Sequence, residues 1–176
     1  MGLFDKKYCD ICGDKIGLLG NRKLEDGNMC KDCAAQLSPW FSDRRRSTLD
    51  EIKAQLDYRE ANKAAVEAFR VTHVLGLDTK VMLDEDAGKL IITRSRKWQD
   101  ENPDVIDFSQ VTGCDYEVDE SREELKREVN GRSESYNPPR YDYDYDFYVL
   151  VRVNSPWFSE IRFKVNSSRI DRQHSG

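Results

Sequence analysis

The spacing of hydrophobic positions changes twice along the chain. Up to residue 42 they are sparse and broken by turns. Ile16, Leu18, Leu19 and Leu24 supply a small apolar cluster, and Gly20-Asn21 and Asp26-Gly27 are turn signals on either side of a short strand. Ala34, Ala35 and Leu37 then outline a short helix that Ser38-Pro39 stops. Thr48-Leu49-Asp50-Glu51 has the form of a capping box and predicts a helix from there to about Arg70. Leu49, Ile52, Leu56, Val66 and Phe69 share one face of it, helped by Ala61, Ala64, Ala65 and Ala68. Lys53, Asp57, Glu60, Lys63 and Glu67 occupy the other face. That mixed charge suits a packing or linking helix rather than one lying on a membrane.

From about Thr72 the period becomes alternating. Val81-Met82-Leu83 and Lys89-Leu90-Ile91-Ile92-Thr93 predict a hairpin around the acidic turn Asp84 to Gly88, which lacks the ligand series of a calcium loop. Val105 to Phe108 leads into a strand through Val111 to Val118. Residues 121–140 are densely charged and end in Pro138-Pro139, which predicts a long, mobile polar loop. Tyr141, Tyr143, Tyr145, Phe147, Val149, Val151 and Val153 alternate with aspartates and other residues, placing the apolar set on one face of a strand. Ile161, Phe163 and Val165 alternate in a last strand. Ser-Pro-Trp-Phe-Ser occurs at both 38–42 and 155–159, in flanking patterns of different period, and reads as a coincidence. The expected architecture is α+β: a finger and basic linker over 1–46, a linking amphipathic helix over 47–71, and an antiparallel β-rich domain over 72–176.

Cysteine spacing adds the chemistry. Cys9-Asp10-Ile11-Cys12 and Cys30-Lys31-Asp32-Cys33 are two Cys-x-x-Cys pairs separated by 17 residues, a spacing that predicts one structural Zn²⁺ on Cys9, Cys12, Cys30 and Cys33. Gly13, just after the first pair, supplies the positive φ that turns amides toward the thiolates. Knuckle, hairpin and a helix carrying the last ligands is the order of a treble-clef finger, with a zinc ribbon as the alternative. The fifth cysteine, Cys114, is expected to be a small buried thiol.

Charged residues make up 35% of the 176-residue chain and net charge is −5, so a global basic footprint for nucleic acid is absent. No apolar run reaches membrane-spanning length and the start has no signal-peptide core, so the expected location is the cytoplasm. Ser42 to Ser47 is a polar linker with Arg44, Arg45 and Arg46 in series. It is either a solvated connection or a contact for phosphate or an acidic partner.

The residues Cys9-Asp10-Ile11-Cys12-Gly13, Lys15-Ile16-Gly17, Leu24-Glu25-Asp26-Gly27 and Cys30-Lys31-Asp32-Cys33 resemble an uncharacterised bacterial and phage family with an N-terminal zinc-ribbon-like domain of unknown function. The β-rich half is similar to a bacterial pleckstrin-homology-like barrel, with an Ile-x-Phe-x-Gln-Val step at 106–111. Such barrels end in a capping helix. No helical pattern follows the last strand here, so the expected barrel is incomplete or is capped by a partner. The resemblance implies no activity.

Four thiolates leave no open coordination position for catalysis. The histidines, His73 and His174, sit at a helix-to-strand junction and near the C-terminal end, and His73 reads as structural. No phosphate loop, nucleophile elbow or zinc-protease helix appears. The expected function is therefore non-enzymatic: a zinc-stabilised interaction module for an unknown protein partner. Trp40, Phe41, Trp98, Trp157 and Phe158 are expected to be exposed anchors for it, together with Arg44, Arg45 and Arg46. The alternative is a nucleic-acid-binding finger using the basic residues around the cysteines.

Overall fold

The computed structural model describes residues 5–166 and the backbone of Ile170–Asp171. His174 lies outside the described residues. Two small hairpins open the chain: β1 (Lys7–Tyr8) with β2 (Lys15–Ile16), and β3 (Asn21–Lys23) with β4 (Asn28–Cys30). A one-turn helix, α1 (Lys31–Ala34), follows directly. Ile16, Leu24, Met29 and Leu37 pack with Cys9, Cys30 and Cys33 as one small core. Leu18 and Leu19 do not join it, contrary to the pattern; they sit in the turn that links the two hairpins and are 89% and 87% exposed.

The long helix α2 (Leu49–Ala68) begins with the predicted capping box. Thr48 Oγ1 accepts from the Glu51 N–H, and the Glu51 carboxylate accepts from the Thr48 N–H at 2.8 Å. The finger also helps to start this helix. Asp26 accepts from the Leu49 N–H at 2.7 Å, and the Ser47 carbonyl accepts from the Glu25 N–H. Ile52 completes the finger core, with Leu49 and Leu56 against it. The buried face of α2 then departs from the predicted apolar stripe, because its central positions are Gln55, Arg59 and Asn62.

The rest is two open antiparallel sheets packed face to face. One runs β5 (His73–Leu75), β6 (Lys80–Asp84), β7 (Lys89–Thr93), β8 (Ile106–Asp107). The other is centred on β10 (Arg132–Val153), which pairs with β9 (Val111–Val129) along one edge and with β11 (Glu160–Lys164) and β12 (Ile170–Asp171) along the other. Leu90, Ile92 and Ile106 of the first sheet meet Val151, Val153 and Ile161 of the second and Phe158 in the turn between β10 and β11. Ile91 faces the opposite side, where Phe69 at the end of α2 covers it with Met82. This two-sided burial explains why 90–92 reads as an unbroken apolar run. Among the described residues the sheets do not close on themselves.

Residues 121–140 are not a loose loop. They form the distal part of a long β-ribbon, with pairing from Val111↔Val153 out to Val129↔Arg132. Asn130 and Gly131 take φ of 53° and 73° at its tip, the two successive positive values of a tight hairpin turn. Register shifts between Ser135 and Arg140, so the Pro138-Pro139 stretch is accommodated as an irregularity rather than ending the strand. Arginines lie over ribbon tyrosines, Arg122 on Tyr141 and Arg140 on Tyr136, each at 4.8 Å. Cys114 also departs from expectation, being exposed. It lies on β9, which among the described residues pairs only with β10 and so keeps an open side.

Gly76 joins β5 to β6 at φ 91°, where an added Cβ would run into the Thr79 carbonyl. Gly76→Ala is expected to cost at least about 1–3 kcal/mol, read as a lower urea midpoint. The same change at Gly17, which has open space around it, serves as the control.

Asp84 ends β6 with its carboxylate turned inward. It accepts from the N–H groups of Arg70 and Ala87 at 2.9 and 3.0 Å. These bonds hold its pKa below the usual carboxylate value. The ionised form is therefore favoured by folding, and its contribution is complete above the unfolded value of about 3.9. It is lost as pH falls through the lower native value. In an NMR titration, the Arg70 and Ala87 amides should move together in that acidic window. Asp84→Asn should abolish the shared transition.

Candidate metal centre

Each cysteine is placed by a local backbone device. Cys9 closes the first knuckle: its N–H donates to the Asp14 carbonyl at 2.8 Å, and its carbonyl accepts from the Gly13 N–H at 2.9 Å. Gly13 has the predicted positive φ, 81°. The second pair straddles the start of α1, with Cys30 as N-cap and Cys33 inside the helix. The knuckle and the second hairpin are tied by Asp10, whose N–H donates to the Asn28 carbonyl while its carboxylate accepts from the Asn28 N–H at 2.7 Å.

These devices bring the four sulfurs within 4.8 Å of one another, a group that could hold a metal ion. Cys9, Cys30 and Cys33 are buried and Cys12 is exposed. Backbone amides point at the sulfurs: the Cys30 N–H donates to Cys9 Sγ at 3.3 Å, and the Cys33 N–H to Cys30 Sγ at 3.4 Å. Burial works against ionisation of Cys9, but the N–H groups of Cys12, Cys30 and Ile11 outweigh it and bring the thiol down to about 6. Cys33 moves the other way, pushed up by burial and then by the crowding of Cys30, Cys12 and Cys9. One thiolate is thus favoured and the next is opposed. A divalent cation at the centre reverses that opposition, because each further thiolate then gains a positive neighbour.

The other sequence-predicted site residues do not gather in one place, and the five aromatics are not exposed as expected. Phe158 is in the intersheet core, 8% exposed. Trp40 and Trp157 pack half-buried against that same core, and Trp157 also lies 6.0 Å from Tyr58. Trp98 stands edge-on to Phe69 at 5.8 Å. Phe41 packs on the finger core. The physical reason is that two sheets and a helix of this size need large side chains to fill the seams between them. The two Ser-Pro-Trp-Phe-Ser copies share a local turn: Ser38 Oγ accepts from the Trp40 N–H at 3.2 Å, and Ser155 Oγ from the Trp157 N–H at 3.3 Å. Each turn aims its tryptophan at one common core. Of the arginines, Arg45 and Arg46 are exposed, while half-buried Arg44 donates to the Lys23 carbonyl at 2.8 Å. His73 is exposed on β5.

A second polar centre had no counterpart in the expected site residues. Asp104, 2% exposed, accepts from Ser38 Oγ at 2.7 Å, Tyr58 Oη at 2.9 Å and Arg59 Nη1 at 3.0 Å. Arg59 also donates to the carbonyls of Gln36 and Asn102. Asn62 donates to the Pro103 carbonyl and accepts from the Val105 N–H. The Ser38 N–H donates to Gln55. The tail of the finger, α2 and the 102–105 segment are thereby locked into one junction. The usable signal was spacing: 52, 55, 59, 62 and 66 recur at core intervals even though the middle three are polar.

With this geometry in place, comparison with known proteins is informative for the finger. Residues 7–55 match a family described as a domain of unknown function, DUF4428. The match takes in all four cysteines and the first turns of α2, the region that packs as one core. No curated protein and no solved structure matches the chain. No helix among the described residues is long and apolar enough to cross a membrane.

Proposed function

We propose that the chain is a non-enzymatic interaction module in which one structural Zn²⁺, held by Cys9, Cys12, Cys30 and Cys33, folds a treble-clef finger that serves a protein partner. The observation carrying this reading is the convergence of four cysteine sulfurs with amides directed at them. Four sulfurs about 2.3 Å from a central zinc stand about 3.8 Å apart. Cys12 and Cys30 are separated by 3.8 Å. A closed thiolate shell supports a folding role over a catalytic one. Hairpin, second hairpin and helix, with the last ligand inside α1, favours the treble clef over the ribbon. The division into finger with linker (1–46), helix (47–71) and β-rich part (72–176) is retained as the functional organisation.

The test is capture of cross-linked partners from the native host by the intact chain and by Cys30→Ser, with nuclease treatment in parallel. A protein retained only by the intact chain is the expected result. Retention of nothing, or of nuclease-sensitive material alone, overturns the reading. The basic residues beside the finger favour nucleic acid as the second reading, and its signature would be steep loss of binding with added salt.

A further inference from the structure

Beside the metal centre, the finger and its linker enclose an open cleft of about 480 Å³. Its rim carries Arg22, Lys31, Arg44, Arg45 and Arg46, and its apolar lining includes Leu37 and Phe41. Asp43 is the one acid among the lining residues, and it is paired with Arg46. Four cations are therefore left with no carboxylate in the cleft. Two of them are fixed in place: Arg22 donates to the Leu19 carbonyl at 3.0 Å and Arg44 to the Lys23 carbonyl at 2.8 Å. Burial, then the charges of Arg45 and Arg22, work against the protonated form of Arg44. Lys31 and Arg45 make no side-chain hydrogen bond or ion pair that the described residues supply. An anion entering this cleft meets concentrated positive charge that the protein itself does not neutralise.

We propose that this cleft is the docking site for a short acidic segment of a protein partner, in which carboxylates flank an apolar side chain. This rests on the protein-partner reading above and names the chemistry of the partner. The rim supplies guanidinium forks, which pair with carboxylates in bidentate fashion. The apolar lining suits one hydrophobic side chain between them. Charge outside the cleft favours a peptide over nucleic acid. Among the described finger residues outside the cleft, Asp5, Asp10, Asp14, Glu25, Asp26 and Asp32 outnumber Lys6, Lys7, Lys15 and Lys23, and the chain is net negative. A polyanion extending beyond the cleft meets this net-negative finger, whereas a peptide can confine its charge to the cleft.

The experiment selects a displayed random 12-residue peptide library on the full, zinc-loaded chain. Selected peptides are then measured by fluorescence anisotropy, beside an oligothymidine strand, at low and high salt. Peptides rich in Asp and Glu around an apolar residue are expected. Lys31→Glu/Arg45→Glu should weaken them at least about tenfold, with zinc content and urea midpoint unchanged. The same charge reversal elsewhere, Lys53→Glu/Lys97→Glu, should leave binding within about twofold, since remote charges are screened. Peptides that bind the cleft variant as well as the parent would overturn the cleft while leaving the protein-partner reading standing. Selection of no acidic peptide overturns the inference, and host capture then decides the broader reading separately. Oligothymidine binding that is tighter than any peptide and lost in the cleft variant also overturns it.

Discussion

Asp104→Ala is expected to lower folding stability by about 3–5 kcal/mol, since removing one partner strands a buried charge on the other. The salt bridge to Arg59 is among the most enclosed polar contacts, with side chains 7% and 0% exposed. The substitution strands the Arg59 guanidinium and removes the acceptor of Ser38 Oγ and of the Tyr58 hydroxyl. A domain with total stability of about 5–15 kcal/mol loses much of its margin. Urea denaturation of the zinc-loaded chain measures this. Tyr58→Phe, which deletes one hydrogen bond and keeps the ring against Trp157, should cost only about 1 kcal/mol. If the Asp104→Ala midpoint fell no further than that of Tyr58→Phe, the junction would be incidental to stability. Arg59→Met/Asp104→Leu should recover most of the loss, because an apolar pair removes the desolvation cost along with the attraction.

Removing the metal is expected to have the larger effect. Stripping Zn²⁺ with a strong chelator, or replacing Cys33 by serine, should unfold residues 8–42. Structural zinc contributes about 10–16 kcal/mol in isolated fingers, while the finger core here is a handful of side chains around the cysteines. The structure extends the prediction along α2. Ile52 is 0% exposed inside the finger core, and Asp26 and Ser47 bind the helix start to the finger. The first turns of α2 should therefore lose protection in hydrogen exchange with the finger. The intersheet core is a separate cluster that includes none of the four cysteines, and its amides in β7, β10 and β11 should stay protected. Uniform exchange after chelation would show that the sheets depend on the finger. Unchanged exchange at residues 49–56 would show that α2 does not.

Much of the local structure was legible in the chain. The cysteine spacing, the Gly13 turn, the Thr48 capping box and the β6–β7 hairpin are set by contacts between near neighbours, and each appears in place. The ribbon at 121–140 was missed: its dense charge suggested a loop, although Asn130-Gly131 is a hairpin-turn dipeptide. A two-stranded arm exposed on both faces needs no apolar alternation to form its backbone ladder. Polar composition does separate a buried strand from an exposed one, but it does not separate an exposed strand from a loop.

What the sequence determined by itself is the four-cysteine cluster: its cysteines and the turns that aim them lie within 25 residues, Cys9 to Cys33, so proximity along the chain is enough. Only tertiary structure decided the rest. Asp104 is a buried acceptor because Arg59 and Ser38, 45 and 66 residues away in sequence, arrive beside it. Trp40 and Trp157 are half-buried wedges because two sheets meet where they stand. Arg22, Lys31 and the arginine triplet line one cleft because the linker folds back on the finger. Each of these depends on a distance through space between residues remote in sequence, and periodicity along a chain carries no information about such distances.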